Sequence, residues 1–251
     1  MTIWSAYLHG ASLMHLDGLG LGTSLSQEEL KATKRLAKQF LLKQIPSSEH
    51  SESTIGFFED GYELMQPFMK IENSFGVTPF CIPLGPEKKS NCSDFKFNAT
   101  TTGMNLRRIL RAMQISKPIL LEGSPGVGKT SLISALAEAS GHRLTRINLS
   151  EQTDISDLMG SDLPMPASSN ECSGSEFMWC DGIFLKAIKD GHWVLLDELN
   201  LASQAVLEGL NSCLDHRSNI FIPELGKTFQ CPSTFRIFAA QNPMAQGGGR
   251  K

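Results

Sequence analysis

Pro118-Ile119-Leu120-Leu121-Glu122-Gly123-Ser124-Pro125-Gly126-Val127-Gly128-Lys129-Thr130 runs from a short apolar block into a glycine-rich turn that ends on a lysine and a hydroxyl. Residues 123–130 fit G-x-x-x-x-G-K-[ST] in full. Glycines at these positions let the backbone curl until its N–H groups point inward, forming a concave nest for phosphate oxygens. Pro118 to Leu121 reads as a strand. Ser131 to Ala139 reads as a helix closed by Gly141, and its N-terminus adds a positive dipole end beside the turn. Strand, cradle and helix together point to nucleotide binding. The candidate phosphate contacts are Gly123, Ser124, Pro125, Gly126, Val127, Gly128, Lys129, Thr130 and Ser131. Lys129 is placed to bridge the β- and γ-phosphates of ATP, and the Thr130 hydroxyl to ligate Mg²⁺.

Downstream, Trp193-Val194-Leu195-Leu196-Asp197-Glu198 is four apolar residues ending in two carboxylates. A buried parallel strand would deliver Asp197 to the C-terminal edge of a sheet, where ligands of open α/β folds gather. There Asp197 can hold the Mg²⁺ shell, and Glu198 can polarise a water for attack on the γ-phosphate. A second apolar strand, Phe235 to Ala240, leads to Gln241-Asn242-Pro243, where Asn242 could hydrogen-bond the attacking water or the γ-phosphate. Between these lie a strand over Arg143–Leu149, a helix over Ile183–Ile188 and a helix over Gln204–Leu214. A hairpin over Ile220–Gln230 turns at Leu225-Gly226. Nearly all-apolar strands alternating with helices predict a parallel sheet covered on both faces.

Residues 1–97 carry weaker signals. Ser26 and Glu29 form a capping box, Leu30, Leu36, Ala37, Phe40 and Leu41 supply a helical apolar face, and Pro46 stops that helix. Phe57 to Ile82 shows no clear period. Gly18-Leu19-Gly20-Leu21-Gly22 has Thr23 where a dinucleotide fingerprint needs glycine, so it reads as a turn. From Asn98 onward, Leu106, Ile109, Leu110 and Met113 lie at helical spacing with Arg107, Arg108 and Arg111 on the other face.

The 251 residues suit one large domain, or one domain plus a sizeable segment, without a disulfide or metal staple. Residues 1–100 hold 9 of the 23 Lys and Arg and 11 of the 26 Asp and Glu, so neither half is basic. That disfavours nucleic-acid binding through a broad charged face. No apolar run approaches a membrane span, and Met1 to Gly10 lacks the pattern of a secretory leader, so the chain reads as soluble and not secreted. Six cysteines without a C-x-x-C pair suit buried thiols in a reducing compartment. The histidines show no metal-ligand spacing, and the Asn-x-Ser/Thr triplets carry no meaning without a leader.

The three motifs together resemble the AAA+ ATPases, a P-loop NTPase family, with Asn242 at the sensor-1 position. More closely they resemble the helix-2-insert group of MoxR-type proteins, the magnesium-chelatase ATPase subunit and dynein-like giants. Within it, the wording is similar to the six-module ATPases of large-subunit ribosome assembly. The matching text includes Arg146-Ile147-Asn148-Leu149-Ser150-Glu151-Gln152-Thr153-Asp154, Trp179-Cys180-Asp181-Gly182, Leu196 to Ala202, and Gly247-Gly248-Gly249-Arg250-Lys251. The resemblance covers residues 76–251. It implies that Leu163–Trp179 is the helix-2 insert and Ile220–Gln230 the pre-sensor-1 hairpin. It also implies ATP hydrolysis with Mg²⁺ in a ring of neighbouring AAA+ modules, and release of assembly factors from pre-60S ribosomal particles in the nucleus and nucleolus. Residues 1–97 are then a connecting segment and 98–251 the nucleotide-binding core.

In that family the arginine finger and the helical lid with sensor 2 follow the glycine-rich stretch, where this chain ends; Arg250 matches the text before the finger. The expectation is a chain that by itself binds Mg-ATP weakly and turns over very slowly. Two other readings stand beside this one: a non-hydrolysing module in which nucleotide is a folding ligand, and a MoxR- or chelatase-type cofactor-insertion ATPase.

Overall fold

The computed structural model describes residues 2–20, 23–51, 55, 68–71, 73–87, 95–97, 99–164, 177–214 and 219–243. The chain divides into two compact units, one of Met1–Leu84 with Ser90–Ile115, the other of Gly85–Lys89 with Ser116–Lys251. The expected division between residues 97 and 98 falls inside the first.

In the first unit, helix α1 (Ile3–Ala11) starts at Thr2, whose hydroxyl accepts from Ser5 N at 3.1 Å, and runs into a π-helical turn over Ser12–Leu16. Helix α2 (Gln27–Lys43) carries the capping box: Ser26 N donates to Glu29 Oε2 at 2.9 Å, and Glu29 N donates to Ser26 Oγ at 3.3 Å. Leu8, Leu16, Leu41 and Ile45 form a small core there. The apolar face expected for α2 is only partly used, since Leu36 and Phe40 are 65% and 64% exposed. Leu41 is buried in that core, and Ala37 and Leu42 pack against it. Residues 17–20 form the expected turn; Leu21 and Gly22 lie outside the described residues.

The aperiodic stretch holds an antiparallel meander of β1 (Met69–Ile71), β2 (Ser74–Val77) and β3 (Phe80–Pro83). Helix α3 (Thr100–Ala112) buries Leu106, Ile109 and Leu110, with Met113 just beyond its end, as its spacing required. Arg107 and Arg111 are buried as well, contrary to a solvent-facing basic stripe. Arg111 Nη1 donates to both Asp17 oxygens at 3.1 and 3.0 Å, and the Arg107 guanidinium lies 4.8 Å from the centroid of the Phe68 ring. A paired guanidinium that lies over an aromatic ring can be buried where a lone charge cannot.

The second unit centres on a parallel sheet with β4 (Ile119–Glu122), β11 (Arg236–Gln241), β8 (Trp193–Asp197) and β5 (Leu144–Asn148) in that spatial order. Two antiparallel pairs accompany it: β6 (Gly160–Pro164) with β7 (Phe177–Asp181), and β9 (Asn219–Ile222) with β10 (Lys227–Gln230). The expected insert, Leu163–Trp179, overlaps the inner ends of the first pair, and residues 165–176 lie outside the described residues. The second pair is the predicted hairpin, turning through Pro223–Leu225 to Gly226 at φ +58°.

Strand alternation sorts the sheet residues between two faces. Val194, Leu196, Ile237 and Ala239 enter one core with α5 (Ile183–Asp190) and α6 (Gln204–Leu214). The opposite set, Trp193, Leu195, Phe238 and Ala240, is also buried, and α4 (Lys129–Ser140) packs against β5, β8 and β11. Helices on both faces explain why β8 has no polar residue before Asp197.

Two consequences are measurable. Leu196 is fully buried, so Leu196→Ala should cost about 2–5 kcal/mol in chemical denaturation of the second unit. In the first unit His9 lies edge-on to Phe80 at 4.7 Å, and burial, aided by the Arg111 charge, lowers its pKa from 6.5 to about 4. The unfolded chain therefore binds that proton first. His9's contribution to stability is full above pH 6.5 and is lost as pH falls toward 4. Melting temperature measured across that interval should fall with acidification, and His9→Gln should flatten the slope.

Candidate functional site

The spatial order of the sheet, 4-11-8-5, threads the last described strand between the first and the third. All four strands run the same way, so the segments leaving β4, β11 and β8 emerge side by side. Gln241 pairs with Glu122 and Ala239 with Leu196, which puts Asn242 beside both the glycine-rich turn and the carboxylates after β8. Parity then selects the face. Asp197 follows Trp193 and Leu195 onto the side of α4, the helix that the turn feeds.

The turn itself follows the motif. Gly126 and Gly128 adopt φ +79° and +84°, with nothing within 4 Å of a Cβ at either position. Left-handed backbone, not crowding, is what requires glycine there. Lys129 opens α4, and its ammonium folds back to donate to Gly123 O at 2.6 Å, Ser124 O at 3.0 Å and Asn242 Oδ1 at 3.1 Å. The other turn residues are Pro125 and Val127, the latter exposed at the rim, and Ser131 lies exposed in the first turn of α4.

Three strand ends meet through Asn242. Its carboxamide oxygen accepts from Lys129, while its Nδ2 donates to Glu198 Oε1 at 3.2 Å and Oε2 at 3.0 Å. Glu198 is left-handed at φ 56°, ψ 46°, the one non-glycine residue with positive φ among the described residues. Such strain gathers where a side chain must be aimed. Here it turns the carboxylate from the strand direction toward Asn242.

Asp197 is buried and accepts three hydrogen bonds. Its Oδ2 accepts from Thr130 Oγ1 at 3.0 Å and from Arg146 Nη2 at 2.6 Å, and Oδ1 accepts from Glu198 N at 3.2 Å. The Thr130 hydroxyl and the Asp197 carboxylate form a hard-oxygen pair suited to Mg²⁺, which takes one or two protein oxygens and completes its shell with water and phosphate. Among the described residues no group of three or more His, Cys, Asp or Glu gathers as a metal site of its own. The donor set therefore fits Mg²⁺ bound together with a nucleotide.

The structure thus brings Lys129, Thr130, Asp197, Glu198 and Asn242 to one sheet edge. Sequence reasoning missed Arg146. Its signal was an arginine in the otherwise regular strand 143–149, three residues before the C-terminal end and on the parity of Asp197. Residues 244–251, including Arg250, lie outside the described residues.

Residues 118–251 match the family model described as an AAA domain of the dynein-related subfamily. The chain is 52% identical over 256 residues to midasin of Dictyostelium discoideum and 43% identical over 256 residues to midasin of Giardia intestinalis. These alignments take in 98% and 97% of the chain but 4% and 5% of the two midasins, so the chain spans a small part of their length. An uncharacterized protein of Staphylococcus saprophyticus is 35% identical over 130 residues, 52% of this chain and 48% of that protein. A motif set assembled as its spacing required, inside a match to more than half of the chain, shows that this chain belongs to the dynein-related subfamily of AAA domains.

Proposed function

We propose that the chain is an ATP-binding and ATP-hydrolysing module of a midasin-like AAA+ ATPase. The observation that carries this reading is the meeting of Lys129, Thr130, Asp197, Glu198 and Asn242 at one sheet edge. Backbone amides around Gly126 and the N-terminus of α4 receive the triphosphate. Lys129 exchanges its carbonyl partners for the β- and γ-phosphates. Thr130 and Asp197 hold Mg²⁺, which when bound neutralises charge on the phosphate oxygens. Glu198 is the general base that takes a proton from the attacking water, and Asn242 fixes its direction. The arginine that stabilises the transition state comes from a neighbouring module of the ring.

Similarity to two midasins along nearly the whole chain supports the wider setting. The parent protein works on pre-60S ribosomal particles and assembly factors in the nucleus, nucleolus and nucleoplasm. Residues 1–97 connect this module to another, and the β6–β7 and β9–β10 pairs transmit nucleotide state. The module makes no sequence-specific nucleic-acid contact and no membrane contact.

Calorimetry with Mg-ATP tests the site directly. Lys129→Ala should abolish the binding heat, whereas Glu198→Gln should keep it and retain unhydrolysed ATP; undiminished affinity in Lys129→Ala would falsify the assignment. Phosphate release by the chain alone should stay below ~1 s⁻¹ and rise when a fragment supplies a neighbouring arginine, a contribution of roughly 10³–10⁵ in related P-loop enzymes. A large melting shift with ATP but no phosphate release even then would favour a nucleotide-stabilised scaffold.

A further inference from the structure

Asp197 Oδ2 accepts two hydrogen bonds, and they differ in kind. Thr130 brings a dipole; Arg146 Nη2, at 2.6 Å, brings a full positive charge. Arg146 pairs across the sheet with Leu195, and Asn148 with Asp197. Arginine and carboxylate thus share the α4 face, one pleat apart.

Their surroundings are unequal. The Asp197 side chain is 10% exposed and that of Arg146 57%. A carboxylate so withdrawn from water is held in place by a hydrogen-bonded countercharge. A guanidinium so exposed can release it and return to water at little cost. Mg²⁺ drawn to Thr130 and Asp197 would meet the guanidinium at the same oxygen, and two cations cannot both sit against it without strong repulsion.

We infer that Arg146 is a resident countercharge for Asp197, holding the carboxylate in the nucleotide-free state and competing with Mg²⁺ for it. The side chain is a positioning residue that sets the magnesium dependence of nucleotide binding. This rests on the proposed role of Thr130 and Asp197 as the metal side of the site. If Arg146 instead reached the phosphates, its removal would weaken ATP binding, an effect of opposite sign.

The experiment titrates the purified chain with a fluorescent ATP analogue at a series of Mg²⁺ concentrations and in EDTA. Wild type is compared with Arg146→Gln and with the charge-retaining Arg146→Lys. Arg146→Gln should lower the Mg²⁺ midpoint about two- to fivefold, the range set by a half-exposed ion pair. It should also lower the nucleotide-free melting temperature and leave affinity in EDTA unchanged. Arg146→Lys should lie between, and it carries the test if Arg146→Gln does not fold. An unmoved midpoint, or weaker binding in EDTA, overturns the countercharge role. Wild type that binds no nucleotide at any Mg²⁺ concentration overturns the nucleotide site itself, and this inference with it.

Discussion

The site depends on the insertion of β11 between β4 and β8. Three parallel strands so ordered end side by side, so residues 67 and 113 positions from Thr130 and Lys129 come within hydrogen-bond reach. No local propensity could achieve this. It follows from the apolar runs of β8 and β11, which must be buried on both faces and so lie inside the sheet. The same burial leaves only the strand ends for polar chemistry. The hydrophobic effect that forms the sheet therefore also concentrates the carboxylates, the amide and the lysine at its edge.

Charge at this edge is handled by pairing. Arg146 answers Asp197 directly; Lys129 answers Glu198 only through the Asn242 amide. A direct Lys129–Glu198 bridge would make a tight ion pair that an incoming phosphate must break. The amide keeps the two charges apart while satisfying both. Lys129 otherwise rests on two backbone carbonyls, neutral acceptors that a phosphate can displace.

Reading the sequence succeeded where the physics is periodic or punctuated, as in the glycine turn, the alternating strands and helices, the capping box and the hairpin at Gly226. It failed where meaning depends on a neighbour. The β1–β3 meander was hidden because its strands are three or four residues long and Thr78-Pro79 is not a recognisable hairpin signature. Arg107 and Arg111 read as a solvent face because Asp17 and Phe68, their partners, are distant in sequence. Thiols were expected buried, yet Cys180 is exposed on β7, since a two-stranded arm has an open face. Arg146 was passed over for the same reason: nothing in its own strand announces Asp197.

Glu198 shows how far the site overrides local comfort. A non-glycine residue in the left-handed region costs on the order of 1–2 kcal/mol. Part is returned by the two bonds from Asn242 Nδ2 and by Leu201 N donating to Glu198 O at 2.9 Å, which starts the following turn. Glycine would satisfy the backbone better and would remove the carboxylate. The chain keeps an acid in a conformation made for glycine, whereas Gly126 and Gly128 take up the same region where only backbone N–H groups are wanted. Among the described residues, strain is therefore accepted at the one left-handed position where a side chain has work to do, and avoided where the backbone alone suffices.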